Sequence, residues 1–243
     1  RYYRNEKNLG AAKNFNLAFQ LSSSKYFKWV AADCTIEPEF LQRCVDLLDN
    51  DPEIILACTY NVGLIEMNDI TIRRKGNFVL RSRAAHQRFR NALKRVVARG
   101  GNAPIWAVMR SDVLRETSLI RPFIGADDCL LLQLALKGQF GQVPEFLTLL
   151  RRHTESFTDI KSSNSGIEGI VEAKWFDPDI KGKIFLPHWR RLWEYFLLAV
   201  HSEVHWPHKL LMVASLFYPT AVRWRKVLIK ELIFAAQLGR PYM

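Results

Sequence analysis

A chain of 243 residues that is 49% apolar and 24% charged carries enough hydrophobic material for a substantial core, which excludes intrinsic disorder. Its formal net charge of +11 points to an anionic partner, and nucleotide, nucleic acid and acidic membrane surface all satisfy that condition. The four cysteines, Cys34, Cys44, Cys58 and Cys129, form no C-x-x-C pair and no metal-ligand spacing, so reduced thiols in a cytoplasmic protein are expected and structural zinc is not.

Residues 1–8, RYYRNEKN, do not read as a secretory signal, and no apolar run reaches the roughly 20 residues of a membrane span. Residues 1–19 predict a short strand, a turn at Asn8-Leu9-Gly10 and a helix from about residue 11 to 21. The Asn-x-Gly turn supplies residue types that tolerate left-handed backbone and let a ligand approach closely. Asn14 and Asn16 are poor interior helix formers, which suggests a polar role for one of them. Residues 26–30 form a bulky, β-prone run that stops at Ala31-Ala32-Asp33, so a buried strand is expected to end by presenting a carboxylate. In open α/β sheets ligands bind beyond the carboxyl ends of strands, which puts Asp33 where a site would be; a lone Asp ending a strand or capping a helix is the bland alternative. A helix is expected from Pro38, with Thr35 as a cap and Phe40, Leu41, Cys44, Val45 and Leu48 on its apolar face.

The segment RNEKNLGAAKNFNLAF followed by KYFKWVAAD and Pro-Glu-Phe-Leu resembles the family-two glycosyltransferases of the GT-A fold. The resemblance implies that Asn8, Gly10 and Asn16 lie near the nucleotide of a nucleotide-sugar donor. It implies that Asp33 binds a divalent cation, Mn²⁺ or Mg²⁺, against the donor diphosphate. The neighbouring places that the family fills with further acids read Ala31, Ala32 and Cys34 here. The family has also passed its first strands and helices before this Asn-x-Gly turn, so a βαβ segment is expected ahead of residue 1, without which nucleoside diphosphates should bind weakly and apolar surface should be exposed.

Residues 54–59, IILACT, predict a buried strand, and residues 63–75 a hairpin turning at Asn68-Asp69. Residues 81–99 predict a basic helix with Phe89, Leu93, Val96 and Val97 on its apolar face. No aromatic residues interleave with Arg83, Arg88, Arg90, Lys94, Arg95 and Arg99, so these read as a solvated face and nucleic acid is not an expected partner. The break GGNAP precedes a strand over residues 105–109 and a helix from residue 111. In the resembling family this loop lies beside the acceptor.

In FIGADDC two adjacent acids open a strongly apolar helix, where its dipole favours carboxylates; helix capping and general-base chemistry are both open. The run GADDCLLLQLALKGQFGQVPEFLTLLRRH is similar to the same family's catalytic-acid helix and the strand after it. This implies that Asp127 is the base and Asp128 an accompanying residue. It also implies that Arg152 meets phosphate and that His153 is a second metal ligand, although a strand end entering solvent explains RRH equally simply.

Residues 154–183 read as a long loop or lid. After Pro187, residues Trp189, Leu192, Trp193, Phe196, Leu197 and Val200 mark the apolar face of a helix, with Arg190, Arg191 and Glu194 opposite. Helices over residues 209–218 and 220–238 follow, the last closed by Gly239 and Pro241. Trp-rich faces beside Arg and Lys suit an anionic membrane surface, but packing against the preceding domain is the expected state of most of this apolar area.

The expectation is thus an N-terminally truncated GT-A-like α/β domain over residues 1–158, a loop or lid over 159–183 and a helical appendage over 184–243. It would be a cytoplasmic, metal-dependent, inverting glycosyltransferase moving a sugar to a hydroxyl of a glycan, lipid-linked or other acceptor, with peripheral contact to the inner face of a membrane. The alternative is a catalytically weak or inactive relative that docks on membrane or partner.

Overall fold

The computed structural model describes residues 1–65, 70–97, 103–152, 173–180, 186–217 and 224–238. In chain order the elements are α1 (Gly10–Gln20), β1 (Tyr26–Phe27), β2 (Cys34–Ile36), α2 (Phe40–Asn50), β3 (Ile54–Ile65), β4 (Ile70–Arg74), α3 (Ala85–Ala92), β5 (Val108–Arg110), α4 (Ser111–Arg115), α5 (Ala126–Lys137), β6 (Gln139–Arg152), α6 (Pro187–His201), α7 (Trp206–Phe217) and α8 (Arg225–Leu238). Among the described residues six strands form one sheet in the order β1-β5-β3-β6-β2, with β4 paired to the outer half of β3. Only β3 and β6 run parallel, from Ile54↔Gln139 to Ile65↔Arg152. Their register slips between Thr59↔Val143 and Tyr60↔Phe146. Pro144 falls in that slip, where its missing N–H breaks no ladder bond.

Helix α2 covers one face of the sheet through Phe40, Cys44 and Leu48, which pack on Ile54, Ala57, Val108 and Val143. The other face carries a larger cluster joining Ile55, Leu56 and Phe140 to Phe89 of α3 and to Leu130, Leu131 and Leu134 of α5. Tyr195, Ala199, Met212 and Leu216 of α6 and α7 belong to that same cluster, so the C-terminal helices share the core of the sheet domain.

Several elements differ from expectation for identifiable reasons. Residues 1–9 form no strand. The strand expected over residues 26–30 stops at Phe27 because the chain turns into the core: Trp29, 4% exposed, donates its indole N–H to the Phe15 carbonyl of α1 at 2.9 Å and meets Phe27 edge-on. Thr35 lies in β2 and does not cap α2. Residues 103–106 form a 3-10 turn, favoured by the fixed φ of Pro104, and the strand begins only at Val108. The basic helix is α-helical only to Ala92 and continues as a π turn over Leu93–Val97. The β3–β4 hairpin is present, while its turn at Asn68-Asp69 lies outside the described residues.

The face of α6 is the largest correction. Its buried residues are Glu194, Tyr195 and Ala199, whereas Trp193 is 57% exposed and Trp189 39%. Leu192 and Phe196 border the core half-buried. The polar side turned inward because partners await it there: Glu194 pairs with Arg121 and Arg190, and Arg191 pairs with Asp128.

Candidate active site

The Asn8-Leu9-Gly10 turn is built as its residue types require. Asn8 Oδ1 accepts a hydrogen bond from the Gly10 N–H at 2.9 Å, an Asx turn that leads into α1. Gly10 has φ +77°, and a Cβ there would collide with Pro178 and lie 2.7 Å from the Phe176 carbonyl oxygen. The segment 173–180 therefore sits directly on this turn. Between them opens a pocket of about 500 Å³ lined in part by Asn5, Lys7, Asn8, Gly10, Asn14 and Trp175. Asn5 donates to Asn14 Oδ1 at 3.0 Å across it. Amides, one ammonium and one indole face suit a ligand with a planar ring and anionic groups.

Asn16 does structural work. Its amide donates to the Ile120 carbonyl at 2.9 Å and accepts from the Ile120 N–H at 3.0 Å, fixing α1 to the loop that leads into α5. One N–H and one lone pair of the amide remain for a ligand. Helix α1 thus ties together the segment before Asp33, through Phe15 and Trp29, and the segment before Asp127, through Asn16 and Ile120.

Asp33 lies in the turn before β2, and its carbonyl accepts from the Arg151 N–H at 3.0 Å, so it is pinned to the carboxyl end of β6 beside Arg152. Arg152 closes the ladder with β3, opposite Ile65; His153 lies outside the described residues. No group of three His, Cys, Asp or Glu that would hold a metal ion occurs among the described residues. The Cys34 thiol beside Asp33 is pushed up by burial and so stays protonated, a poor ligand. A single carboxylate fits only the weaker mode of cation binding, in which one or two protein acids share the ion with substrate phosphates and water, as Mg²⁺ accepts.

The acid pair is better formed. Gly125, with φ +85°, turns the chain into α5, whose first turn holds Asp127 and Asp128. Asp127 is half-buried, and burial, reinforced by the charge of Asp128, pushes its carboxyl up to about 7. Asp128 is 4% exposed, and burial raises it too, opposed by Arg191 and by the hydroxyl of Tyr195. Arg191 Nη2 donates to Asp128 Oδ2, and Tyr195 donates to the same oxygen at 3.3 Å. Asp128 Oδ1 is buried and has no hydrogen-bond partner among the described residues. A carboxyl that titrates near neutrality is suited to taking a proton from an acceptor hydroxyl. Arg191 joins the site although the hydrophobic period sets it opposite the apolar face of α6, and Tyr195, which that period does not assign, joins it from the next turn.

Residues 1–117 match the family described as "Glycosyl transferase family 2". No sequence among the curated proteins matches the chain. The fold is similar to the crystal structure of S. aureus TarS 1-349, with a TM-score of 0.54 at 12% identity, covering 89% of this chain and 53% of that one. It is similar also to the crystal structure of S. aureus TarS, with a TM-score of 0.50 at 12% identity, covering 88% of this chain and 32% of that one. The chain thus spans about half and about a third of these structures, and at such identity the likeness is one of fold.

Proposed function

From the match of residues 1–117 to glycosyl transferase family 2 and the GT-A fold, we propose that the chain transfers a sugar from a nucleotide-sugar donor to an acceptor hydroxyl with inversion. The observation that carries this reading is the acid pair in the first turn of α5, with Asp127 half-buried beside the buried Asp128, a setting that raises its carboxyl. It lies beyond the matched family segment, residues 1–117.

In the proposed reaction the acceptor oxygen attacks the anomeric carbon, the bond from that carbon to the diphosphate oxygen breaks, and the hydroxyl proton passes to the Asp127 carboxylate. Asn8, Gly10 and the remaining capacity of Asn16 would hold the nucleotide, with Lys7 and Arg152 offering charge to its phosphates. Asp33, with His153 as second ligand, would hold a Mn²⁺ or Mg²⁺ ion that neutralises charge on the departing diphosphate. A hydrolysis and transfer screen over several nucleotide-sugars, with either cation, tests the activity. Turnover of one donor that Asp33→Asn and Asp127→Asn each abolish supports the reading; no turnover of any donor refutes it.

A second reading is favoured by one observation. Trp193, Trp206, Leu210, Phe217, Ile229 and Ile233 are all exposed on α6 to α8, near Lys209, Lys226 and Lys230. Such a surface suits docking on an anionic membrane, either as an accessory to catalysis or, with Ala31 and Ala32 in place of acids, instead of it. Among the described residues no helix is long and apolar enough to cross a membrane.

A further inference from the structure

We propose that Arg191 of α6 is a positioning residue for the acid pair of α5: it clamps the Asp128 carboxylate and so fixes the first helical turn from which Asp127 reaches the acceptor. This inference rests on the catalytic reading of Asp127 above. It adds that the catalytic acid is completed by a helix that follows it by some sixty residues, Arg191 and Asp128 being 63 positions apart.

Four independent constraints converge on the guanidinium. Its Nη2 bonds Asp128 Oδ2, and Nε and Nη2 each lie 3.3 Å from the Tyr195 hydroxyl, which bonds the same carboxylate oxygen. The Trp224 ring lies 4.7 Å from its central carbon, a cation–π contact that stops the head from swinging outward. Gly125 leaves room for it: a Cβ there would strike Arg191 Nε and lie 2.6 Å from Cδ. Asp128 is buried and Arg191 mostly so, with side-chain exposures of 5% and 16%.

A buried ion pair is poor evidence of a stability device, because desolvation offsets much of the attraction and apolar replacements often do as well. What the pair does supply is a fixed charge geometry beside Asp127. Among the described residues, the charged and titratable groups facing the two acids include Arg191 and Tyr195 from α6 and Cys129 from α5 itself, with Glu194 beyond them, acting on Cys129. Glu194 is held in turn by Arg121 and Arg190. Arg191 is therefore a cation that opposes the upward push of burial on Asp128 and on Asp127. Without it two adjacent carboxyls, one buried and one half-buried, would compete for a proton, and Asp127 would lose both its orientation and its availability as a base.

The test is the titration of the side-chain carboxyl carbons of Asp127 and Asp128 by NMR in the wild type and in Arg191→Met, Arg191→Lys and Tyr195→Phe, alongside transfer kinetics. Arg191→Met should move the upper titration midpoint of the pair upward by about one unit or more, with Arg191→Lys recovering most of that shift. Transfer kcat should fall about tenfold or more in Arg191→Met while nucleoside diphosphate affinity stays within about twofold, because the clamp acts on the acceptor side. Should Arg191→Met not fold, Tyr195→Phe carries the test, with a smaller shift of the same sign. A folded Arg191→Met, or failing that Tyr195→Phe, with unchanged midpoints overturns the clamp. If the wild type transfers no sugar, the catalytic reading falls, and the titration still decides whether Arg191 governs the pair.

Discussion

At the scale of single residues the site rests on backbone positions that tolerate few side chains and on carboxyls held out of water. Gly10→Ala should destabilise the protein by more than about 1 kcal/mol, because a left-handed position and a filled contact with segment 173–180 oppose it together. Thermal melts beside binding of nucleoside diphosphates would check this, with affinity expected to fall as the turn opens. Asp127 makes a prediction in the opposite direction. Its folded-state value is raised from 3.8 to about 7, so the stability tied to its proton is complete below about 4 and is lost as pH rises through 7. Asp127→Asn should therefore be more stable than the wild type at pH 8, by roughly 1–3 kcal/mol, with no gain at pH 4. Melting curves at the two pH values measure it, and equal curves would mean that the carboxyl is not held neutral by its surroundings. The turn at Asn8 and Gly10 and the place of Asp127 at a helix mouth were legible in the sequence because both are local signals. Arg191 was not, since nothing near it in sequence announces a carboxylate on another helix.

Elements were legible where hydrophobic period alone decides them, as in α2 and in β3, and less so where a tertiary contact cuts across local propensity. Trp29 ends a strand early by seeking α1, and Pro104 turns an expected strand into a 3-10 turn. The helix of residues 85–92 illustrates the same limit, because Arg88 is neither solvated nor free for phosphate. It is 6% exposed and donates to the carbonyls of Ala135 and Leu136 at the end of α5 and of Ser82 and Arg83. Loss of this fork should cost about 2–4 kcal/mol in Arg88→Ala, and Arg88→Lys should recover little because an ammonium cannot reach four divergent acceptors. Denaturant unfolding of both variants decides the point; full recovery by lysine would show that charge and not geometry matters. The contact between α3 and α7 should respond to pH. His86 and His208 stack with ring centroids 4.0 Å apart, and burial, followed by His208 and Arg90, lowers His86 below its usual value. A lowered histidine binds its proton more weakly when folded, so stability is full above about 6.5 and falls as pH drops below it. His86→Gln should flatten that part of the stability profile, measured by melts from pH 5 to 8.

At the scale of the whole molecule, the C-terminal helices complete the core and leave an aromatic, basic exterior. Hydrophobic period marks the helices themselves but misassigns the buried face of α6, since an Arg–Arg–Glu side reads as solvated until its partners on α5 and Arg121 are known. If the exterior docks on membrane, binding to liposomes should rise with anionic lipid content, fall with salt and weaken in Trp193→Ser with Trp206→Ser. Binding to neutral vesicles alone, or none, would leave this surface for a protein partner. The central claim is the proposal that sugar transfer by this chain works through Asp127 at the start of α5. Single-turnover transfer from whichever donor the screen identifies, followed from pH 5 to 9, addresses it most directly. The expected profile rises along an acidic limb near pH 7 and is lost by about a hundredfold or more in Asp127→Asn, with nucleoside diphosphate affinity unchanged. Transfer by Asp127→Asn within a few-fold of the wild type, or a limb that remains in that variant, would contradict it.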